Sequence, residues 1–535
     1  MRLINTRTLE LQDFSLLAIP PYAILSHTWG DSEVSFRDMS LPSRFSKIGF
    51  EKIVKTCQLA REYGLGFAWV DTCCIDKSSS AELTESINSM WQYYINAAVC
   101  YVSLGDLQPN TPVNDGLAYC RWFTRGWTLQ ELIAPKKLEF YDMSWTYRGS
   151  KFDFIHSISS TTGILTAILR GEESLASFSI AERMSWAARR QTTRVEDTAY
   201  CLLGIFDVNM PLIYGEGIKA FRRLQEEIIK RLNDMTIFAW NSLPNSEKQV
   251  LGLFATSPAA FIDSSHIVPF IDDFLEHSVT NKGLFMAGDR LIRVADVSRG
   301  NGDHEILQYL ICFGRKYQNS YGIPGIYLRK VGPNLFYRDG MFSLAGFGPN
   351  LFNQKKFINI SDYHILVDPN PAIPILHSKY RDTALHVPIN DIFTLEDTVP
   401  ENLWDFTDRI FLRPSPYIWA QYPTALAMVF RTTITKIPVD TVVLCDFRGG
   451  EPVSKVFDKS QYSREASMLF EGRYRHESIY WADLELQAPD IFFLTNKMKL
   501  RCGNRNQIFS VSFEKGIIES ISENKEVFSL KFNVA

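Results

Sequence analysis

The sequence predicts an α/β amino-terminal half, built on a parallel sheet with helices on both faces, followed by a β-rich carboxyl-terminal half. Three observations carry this prediction. Short apolar runs alternate with helix-period segments through the first third of the chain. Residues about 150 to 235 keep only the helical period. After Trp240 the texture changes to period-two runs punctuated by Gly and Pro. The chain has 535 residues, 46% of them hydrophobic, which suits about two to four domains.

The first run, Tyr22-Ala23-Ile24-Leu25-Ser26, is short and apolar and breaks at His27-Thr28-Trp29-Gly30-Asp31. Phe50, Ile53, Val54, Cys57 and Ala60 recur at helical spacing, and Gly64 ends that helix. Phe67-Ala68-Trp69-Val70 reads as a buried strand ending at Asp71. Ser79 and Glu82 fit a capping box, and the helix behind them carries Leu83, Ile87, Met90 and Tyr94 on one stripe. Ala98 to Val102 is the third strand, broken by Gly105-Asp106. A helix over Trp127–Ile133 follows, stopped by Pro135, and Leu138 to Tyr141 is the fourth strand.

Next come helical segments at 180–187 and 195–203, then a long amphipathic helix over 216–232 with Phe221, Leu224, Ile228 and Leu232 as its stripe. The runs 306–312, 441–445, 509–513 and 528–532 read as strands of a sandwich or barrel. The expected division is an α/β core over 1–165, a helical extension over 166–240 and a β-rich domain over 245–535.

Several functions lose support at this level. Net charge is −4, without the basic footprint of a nucleic-acid-binding domain. No apolar run approaches the ~20 residues that span a bilayer, and residues 1–7 lack a signal-peptide core. The expectation is a soluble, cytoplasmic protein. Nine cysteines in so long a chain are not a disulfide framework. There is no Cys-x-x-Cys pair and no His-Glu-x-x-His, so no metal site is expected; Cys73-Cys74 read as buried thiols. No Walker A loop and no Gly-x-Ser-x-Gly elbow occur.

In an open parallel sheet, ligands bind outside the carboxyl ends of the strands, at a topological switch point. That edge would hold Ser26 to Asp31, Asp71 to Asp76, and Gly105-Asp106. The densest chemistry lies just beyond, in Arg121-Trp122-Phe123-Thr124-Arg125-Gly126-Trp127-Thr128-Leu129-Gln130-Glu131-Leu132, which places a carboxylate close behind the third strand.

Three segments resemble the signature blocks of the fungal HET (heterokaryon incompatibility) domain. They are Tyr22–Gly30, Trp69–Asp76 and Arg125–Glu131. Arg194 to Phe206 and Leu212 to Gly217 resemble the downstream part of the same proteins, so the resemblance covers about the first 240 residues. It implies fungal non-self recognition ending in programmed cell death, with an incompatibility partner protein and self-association into an oligomer. HET domains are in turn remotely similar to TIR domains, which implies a TIR-like, flavodoxin-like sheet. On that similarity Trp122 and Trp127 to Leu132 match the segment that holds the catalytic glutamate of NAD-cleaving TIR domains. The implied substrate is NAD or a related nucleotide, with no separate cofactor.

The residues are compatible with that chemistry. Cleaving the nicotinamide–ribose bond passes through an oxocarbenium-like transition state. The leaving nicotinamide is already cationic and departs neutral, so it needs no general acid. One carboxylate, Glu131, suffices to stabilise developing positive charge. Each candidate also has a plainer reading. Glu131 pairs equally well with Arg121 or Arg125 on a helix surface. Trp127 stacks on a ring of the substrate or packs in the core. Ser26 and His27 contact phosphate or ribose, or end the strand. Trp29 and Gly30 form a ligand loop or a simple turn. Asp71 and Asp76 bind ribose hydroxyls or cap the next helix. Arg121 and Arg125 hold pyrophosphate or make surface ion pairs. Arg189, Arg190 and Arg194 read as a solvated face, and Gly215-Glu216-Gly217 as a turn before a helix. Two functions stay open: a TIR-like NAD glycohydrolase, and a non-enzymatic cell-death adaptor acting through self-association and protein binding.

Overall fold

The computed structural model describes residues 1–15, 18–242, 250–269, 276–287, 291–296, 306–312, 315–316, 323–340, 345–347, 356–357, 362–388, 392–413, 424–432, 438–448, 451–471, 479–480, 487–488, 494–502, 505–518 and 526–535. They fall into two compact units. Unit 1 comprises Met1–Ser246, Phe254–Phe274 and Phe313–Pro324; unit 2 comprises Glu247–Leu253, Leu275–Cys312 and Gly325–Ala535. Most of the Pro-, Asn- and Ser-rich stretch near 241–248 lies outside the described residues.

Unit 1 is built on a seven-stranded sheet. Its strands are β1 (Arg2–Asn5), β2 (Leu11–Asp13), β3 (Tyr22–His27), β4 (Phe67–Trp69), β5 (Val99–Ser103), β6 (Leu138–Tyr141) and β7 (Tyr147–Ser150), in the order β2-β1-β4-β3-β5-β6-β7. The four expected strands β4, β3, β5 and β6 are parallel to one another. β1, β2 and β7 add antiparallel edges. Every residue of β3 and β5 is buried, which is why both read as continuous apolar runs rather than as alternating ones. The chain leaves β3 for β4 on one side, then returns past β3 to reach β5 on the other. The order therefore reverses beside β3, and ligands of open α/β sheets bind at such a reversal.

Helix α1 (Gly49–Glu62) connects β3 to β4 and ends at Gly64, whose φ of +85° favours glycine. Helix α2 (Ser80–Asn96) connects β4 to β5. The Ser79 hydroxyl accepts from the Glu82 N–H at 3.3 Å, which is one arm of the capping box. The Glu82 carboxylate does not reach back to Ser79. It accepts instead from the Asp76 N–H and from Arg2 Nη1, both at 2.7 Å, and so ties the helix start to β1. Helix α3 (Thr128–Ile133) is short and buried from Thr128 to Leu132. The buried Lys151 ammonium donates to the carbonyls of Leu132 at 3.3 Å and Pro135 at 2.7 Å, closing its carboxyl end.

The extension, which includes α4 (Ile180–Ala187) and α5 (Lys219–Arg231), meets this layer where Leu203–Phe206 packs against α2. Phe221, Leu224 and Ile228 form the buried stripe of α5, as the spacing predicts. The Gln225 amide accepts from the Ala255 N–H at 3.0 Å and donates to its carbonyl at 2.9 Å, which sews the 254–274 segment into the unit. A second seam joins the start of α3 to the loop after α4. Gly126 N–H donates to Gln191 O at 2.8 Å, and Gln191 N–H donates to Thr124 O at 2.6 Å.

Unit 2 is β-rich. A six-stranded and a five-stranded sheet enclose one core, with Leu385, Phe411, Phe509, Val511 and Leu530 facing Phe393, Met428, Phe430, Val443 and Val456. This is a sandwich. The outer face of the five-stranded sheet is covered by the helix Ser463–Phe470, through Leu469 and Phe470. Its central strands, Thr424–Thr432 and Val439–Arg448, therefore bury apolar residues on both faces, whereas 509–513 and 528–532 alternate. Strand 306–312 belongs to a larger, ten-stranded sheet. Among the described residues no helix is long and apolar enough to cross a membrane, and no group of His, Cys, Asp and Glu is placed to hold a metal ion. Cys73 and Cys74 are buried free thiols.

The seam at Gly126 generates a prediction. A Cβ there would sit 2.6 Å from Thr192 Cγ2 and 3.0 Å from Cys201 Sγ. Gly126→Ala should lower stability by about 1–3 kcal/mol through overpacking, read as a fall in the urea midpoint. An unchanged midpoint would mean that Thr192 moves aside without cost.

Candidate functional site

A cleft of about 280 Å³ opens at the carboxyl ends of β3 and β4, near the lower limit of the roughly 300–1,000 Å³ typical of small-molecule sites. Five groups of side chains line it. His27 ends β3 and Trp29 follows it, and Asp71, Ile75 and Lys77 follow β4. Arg125, Trp127 and Glu131 come from the segment that forms α3, and Gln191 to Arg194, Asp197 and Tyr214 come from the extension. An apolar side is supplied by Leu83, Ile87, Met90 and Tyr94, the α2 stripe that periodicity alone reads as core.

Glu131 is 9% exposed and lines the cleft. Its Oε2 accepts a short hydrogen bond from the Ser26 hydroxyl, which in turn accepts from Trp122 Nε1 at 2.7 Å. Ser26 and Trp122 are fully buried. They stand behind the carboxylate rather than in the cleft, fixing its position from the end of β3. Loss of water raises the Glu131 pKa most. The Ser26 hydrogen bond opposes that rise, the Asp71 charge adds to it, and Arg125 and Tyr94 oppose it. The carboxyl comes to about 7.

Asp71 has the opposite setting. Burial disfavours its charge, but Lys77, His27 and Trp29 outweigh burial and hold the carboxyl at about 2. His27 Nε2 lies 3.1 Å from Oδ1, and Trp29 Nε1 donates to Oδ2 at 2.9 Å. Lys52 Nζ sits 3.0 Å from His27 Nδ1. An ammonium can only donate, so Nδ1 accepts and the imidazole proton lies on Nε2, directed at Asp71. Lys52 is itself held by Glu33 and by the Thr28 carbonyl at 3.1 Å. The Lys77 ammonium lies 3.6 Å from the Trp29 ring centroid. Trp29 remains 42% exposed at the rim.

The extension supplies the remaining wall. The Tyr214 hydroxyl donates to Asp197 Oδ1 at 3.0 Å, and the Arg194 guanidinium lies 4.5 Å from the Tyr214 ring centroid. The turn that presents Tyr214 is pinned by Glu196, whose Oε1 accepts from Gly215 N–H at 2.8 Å and Gly217 N–H at 3.0 Å. Both glycines have positive φ, so the Gly-Glu-Gly segment is a turn before α5, as expected. Arg190 is half-buried and turned inward. Its Nη1 donates to Arg125 O and Thr128 Oγ1, each at 2.9 Å, bracing the start of α3 rather than forming part of a solvated face.

Of the residues singled out in the sequence, His27, Trp29, Asp71, Arg125, Trp127 and Glu131 meet in the cleft, with Ser26 one contact behind. Gly30 and Asp76 do not line it. The Gly30 N–H donates to Glu33 at 2.8 Å, and Asp76 accepts from the Ser78 N–H at 3.0 Å within a turn. Arg121 also lies outside, with its N–H on Asp106 Oδ2 at 2.7 Å. Sequence reasoning missed Lys77, Asp197 and Tyr214 as cleft residues. The only signal for the last two was their place inside the downstream blocks.

Comparison with known proteins finds similarity in the amino-terminal part of the chain. The family model for Heterokaryon incompatibility protein (HET) matches residues 22–115, the stretch that holds β3 to β5, His27, Trp29 and Asp71. A domain of unknown function (DUF8212) matches residues 219–257. Vegetative incompatibility protein HET-E-1 of Podospora anserina is 50% identical over 222 residues, covering 40% of this chain and 16% of that protein. No solved structure matches the chain significantly. The chain thus carries a region similar to the HET family, and it spans about a sixth of the length of the relative it matches.

The Glu131 setting makes a stability prediction. Its folded pKa of about 7 lies above the ordinary carboxyl value of 4.5. The folded state therefore holds the proton more tightly, and this contribution is complete below about pH 4.5 and lost as pH rises through about 7. Glu131→Gln, which stays neutral, should unfold roughly 1–3 kcal/mol less easily than wild type at pH 8. The gap should narrow toward pH 4.5 in urea titrations. A constant difference across that range would contradict the assignment.

Proposed function

We propose that the cleft binds NAD and hydrolyses its nicotinamide–ribose bond, and that this reaction is the cell-killing output of a fungal incompatibility response. The observation that carries the reading is Glu131: a buried carboxyl brought to about 7, opening onto the same cleft as an Asp71 kept ionised at about 2. Carboxyl groups pushed apart in this way mark sites where one group holds charge and the other exchanges a proton.

The chemistry assigns the roles. A cationic nicotinamide ring near Glu131 favours its ionised form, so substrate binding itself deprotonates the carboxyl. As the C1′–N bond breaks, its electron pair leaves with the nicotinamide, which becomes neutral, and positive charge moves onto the ribose. The Glu131 carboxylate stabilises that charge. A water oxygen then bonds to C1′ and gives its proton to Glu131, leaving ADP-ribose. A proton acceptor whose pKa lies near neutrality suits this step. Trp127 offers a flat face for a ring, and Asp71, already held by His27 and Trp29, faces the ribose hydroxyls. Ser26 serves as a positioning residue for Glu131. The likeness of the 121–132 segment to the glutamate segment of TIR domains supports the same reading.

A second reading, a non-enzymatic adaptor that kills by binding copies of itself or a partner protein, is favoured by one observation. Leu41, Phe45 and Ile48 are 49%, 63% and 79% exposed within one short segment of unit 1.

Incubating the full chain with NAD and following nicotinamide release, with light scattering recording the assembly state, separates the two. The catalytic reading expects Glu131→Gln to lose at least about 100-fold in kcat. It also expects kcat/KM to rise with pH through about 7, because the ionised carboxylate is the active form. An assembled wild-type sample that releases no nicotinamide, or a Glu131→Gln variant as active as wild type, would favour the adaptor.

A further inference from the structure

Two guanidinium groups line the cleft near carboxylates but hydrogen-bonded to none of them. Arg125 and Arg194 are both cleft residues. Among the described residues neither side chain donates a hydrogen bond or forms a close ion pair. Instead each lies over an aromatic ring, Arg125 at 6.0 Å from Trp29 and Arg194 at 4.5 Å from Tyr214. The nearby carboxylates are engaged elsewhere. Asp71 accepts from Trp29 and faces His27 Nε2. Asp197 accepts from Tyr214, and Glu131 accepts from Ser26.

The two arginines come from different parts of the chain, and the backbone brings them together. Arg125 pairs with Gln191 in an isolated bridge, and Arg194 follows three residues later. Thr192 Oγ1 donates to the Arg194 carbonyl at 2.7 Å, which shapes the loop between them. Gly126 permits this approach, since any side chain there would meet Thr192. One arginine thus belongs to the α/β layer beside Glu131, and the other to the extension.

We infer that Arg125 and Arg194 form a two-sided diphosphate clamp. The substrate class would then be a dinucleotide diphosphate rather than a nucleoside or a mononucleotide. A planar guanidinium held over a ring presents its donor edges outward, the geometry that grips phosphate oxygens in pairs. This makes the extension part of the site: residues 191–214 select the ligand by its second phosphate, while Glu131 faces the ribose. The inference rests on the reading of the cleft as an NAD site, but it has its own readout.

That readout is binding of the product-like probe ADP-ribose, compared with AMP and adenosine, to the full chain by titration calorimetry. Wild type should bind ADP-ribose more tightly than AMP, and AMP more tightly than adenosine. Arg194→Gln should weaken ADP-ribose by about tenfold or more, with the affinity for adenosine unchanged. Arg194→Lys keeps the charge but loses the fork, and should recover only part of the loss. Arg194 is solvent-exposed, so its replacement should leave the urea midpoint unmoved. The clamp is overturned if Arg194→Gln binds ADP-ribose as wild type does, if adenosine weakens equally, or if wild type binds no ADP-ribose at millimolar concentration. NAD cleavage that is indifferent to Arg194 would sink the clamp and leave the catalytic reading standing. ADP-ribose binding that depends on Arg194, in a protein that releases no nicotinamide, would do the reverse.

Discussion

The hydrogen-bond chain from Trp122 through Ser26 to Glu131 joins the end of the central strand to the short helix α3, and the geometry of the site depends on it. Ser26 is the fifth residue of β3 and pairs in parallel with Val102 of β5, so its position is set by the sheet. Trp122 precedes α3 and is fully buried. A six-residue helix has little stability of its own. This one is held by the Ser26 contact, by Lys151 on its last carbonyls and by Arg190 at its first turn. Three buried polar contacts thus replace the length that an independent helix would need.

The same burial accounts for the electrostatics. A carboxyl that loses water and gains only one strong donor is pushed toward neutrality, whereas Asp71, less deeply enclosed and facing Lys77, His27 and Trp29, stays charged. Partners and exposure together make the difference. His27 is oriented by Lys52 on its other nitrogen, and Lys52 by Glu33. The polar arrangement behind the cleft therefore extends from β3 into α1. The chemical asymmetry of the cleft is thus encoded partly in residues that do not line it.

Much of this was legible in the sequence, for physical reasons that can be named. β3, β4, β5 and β6 announce themselves because strands buried on both faces must be apolar throughout. β1 and β2 escape notice because strands of only four and three residues bury little; only Leu3 and Ile4 are enclosed. Asp71 and Glu131 follow from where strand ends and an adjoining helix must fall. The stripe Leu83, Ile87, Met90 and Tyr94 was read as packing, because periodicity tells which face is apolar but not whether a core or a cleft lies against it. Tyr214 and Asp197 were hidden for a different reason: they lie more than sixty residues beyond Glu131, and only the docking of the extension brings them near.

The central claim is that Glu131 is a buried carboxyl poised near neutrality by desolvation, with Ser26 as its one strong donor. Direct titration of that carboxyl tests it most simply, by carbon-detected NMR of glutamate-labelled protein with Glu131→Gln identifying the resonance. The account predicts a midpoint near 7 that moves higher in Ser26→Ala, since removing the donor disfavours the charged form. A midpoint near the ordinary carboxyl value, unmoved by loss of Ser26, would contradict it.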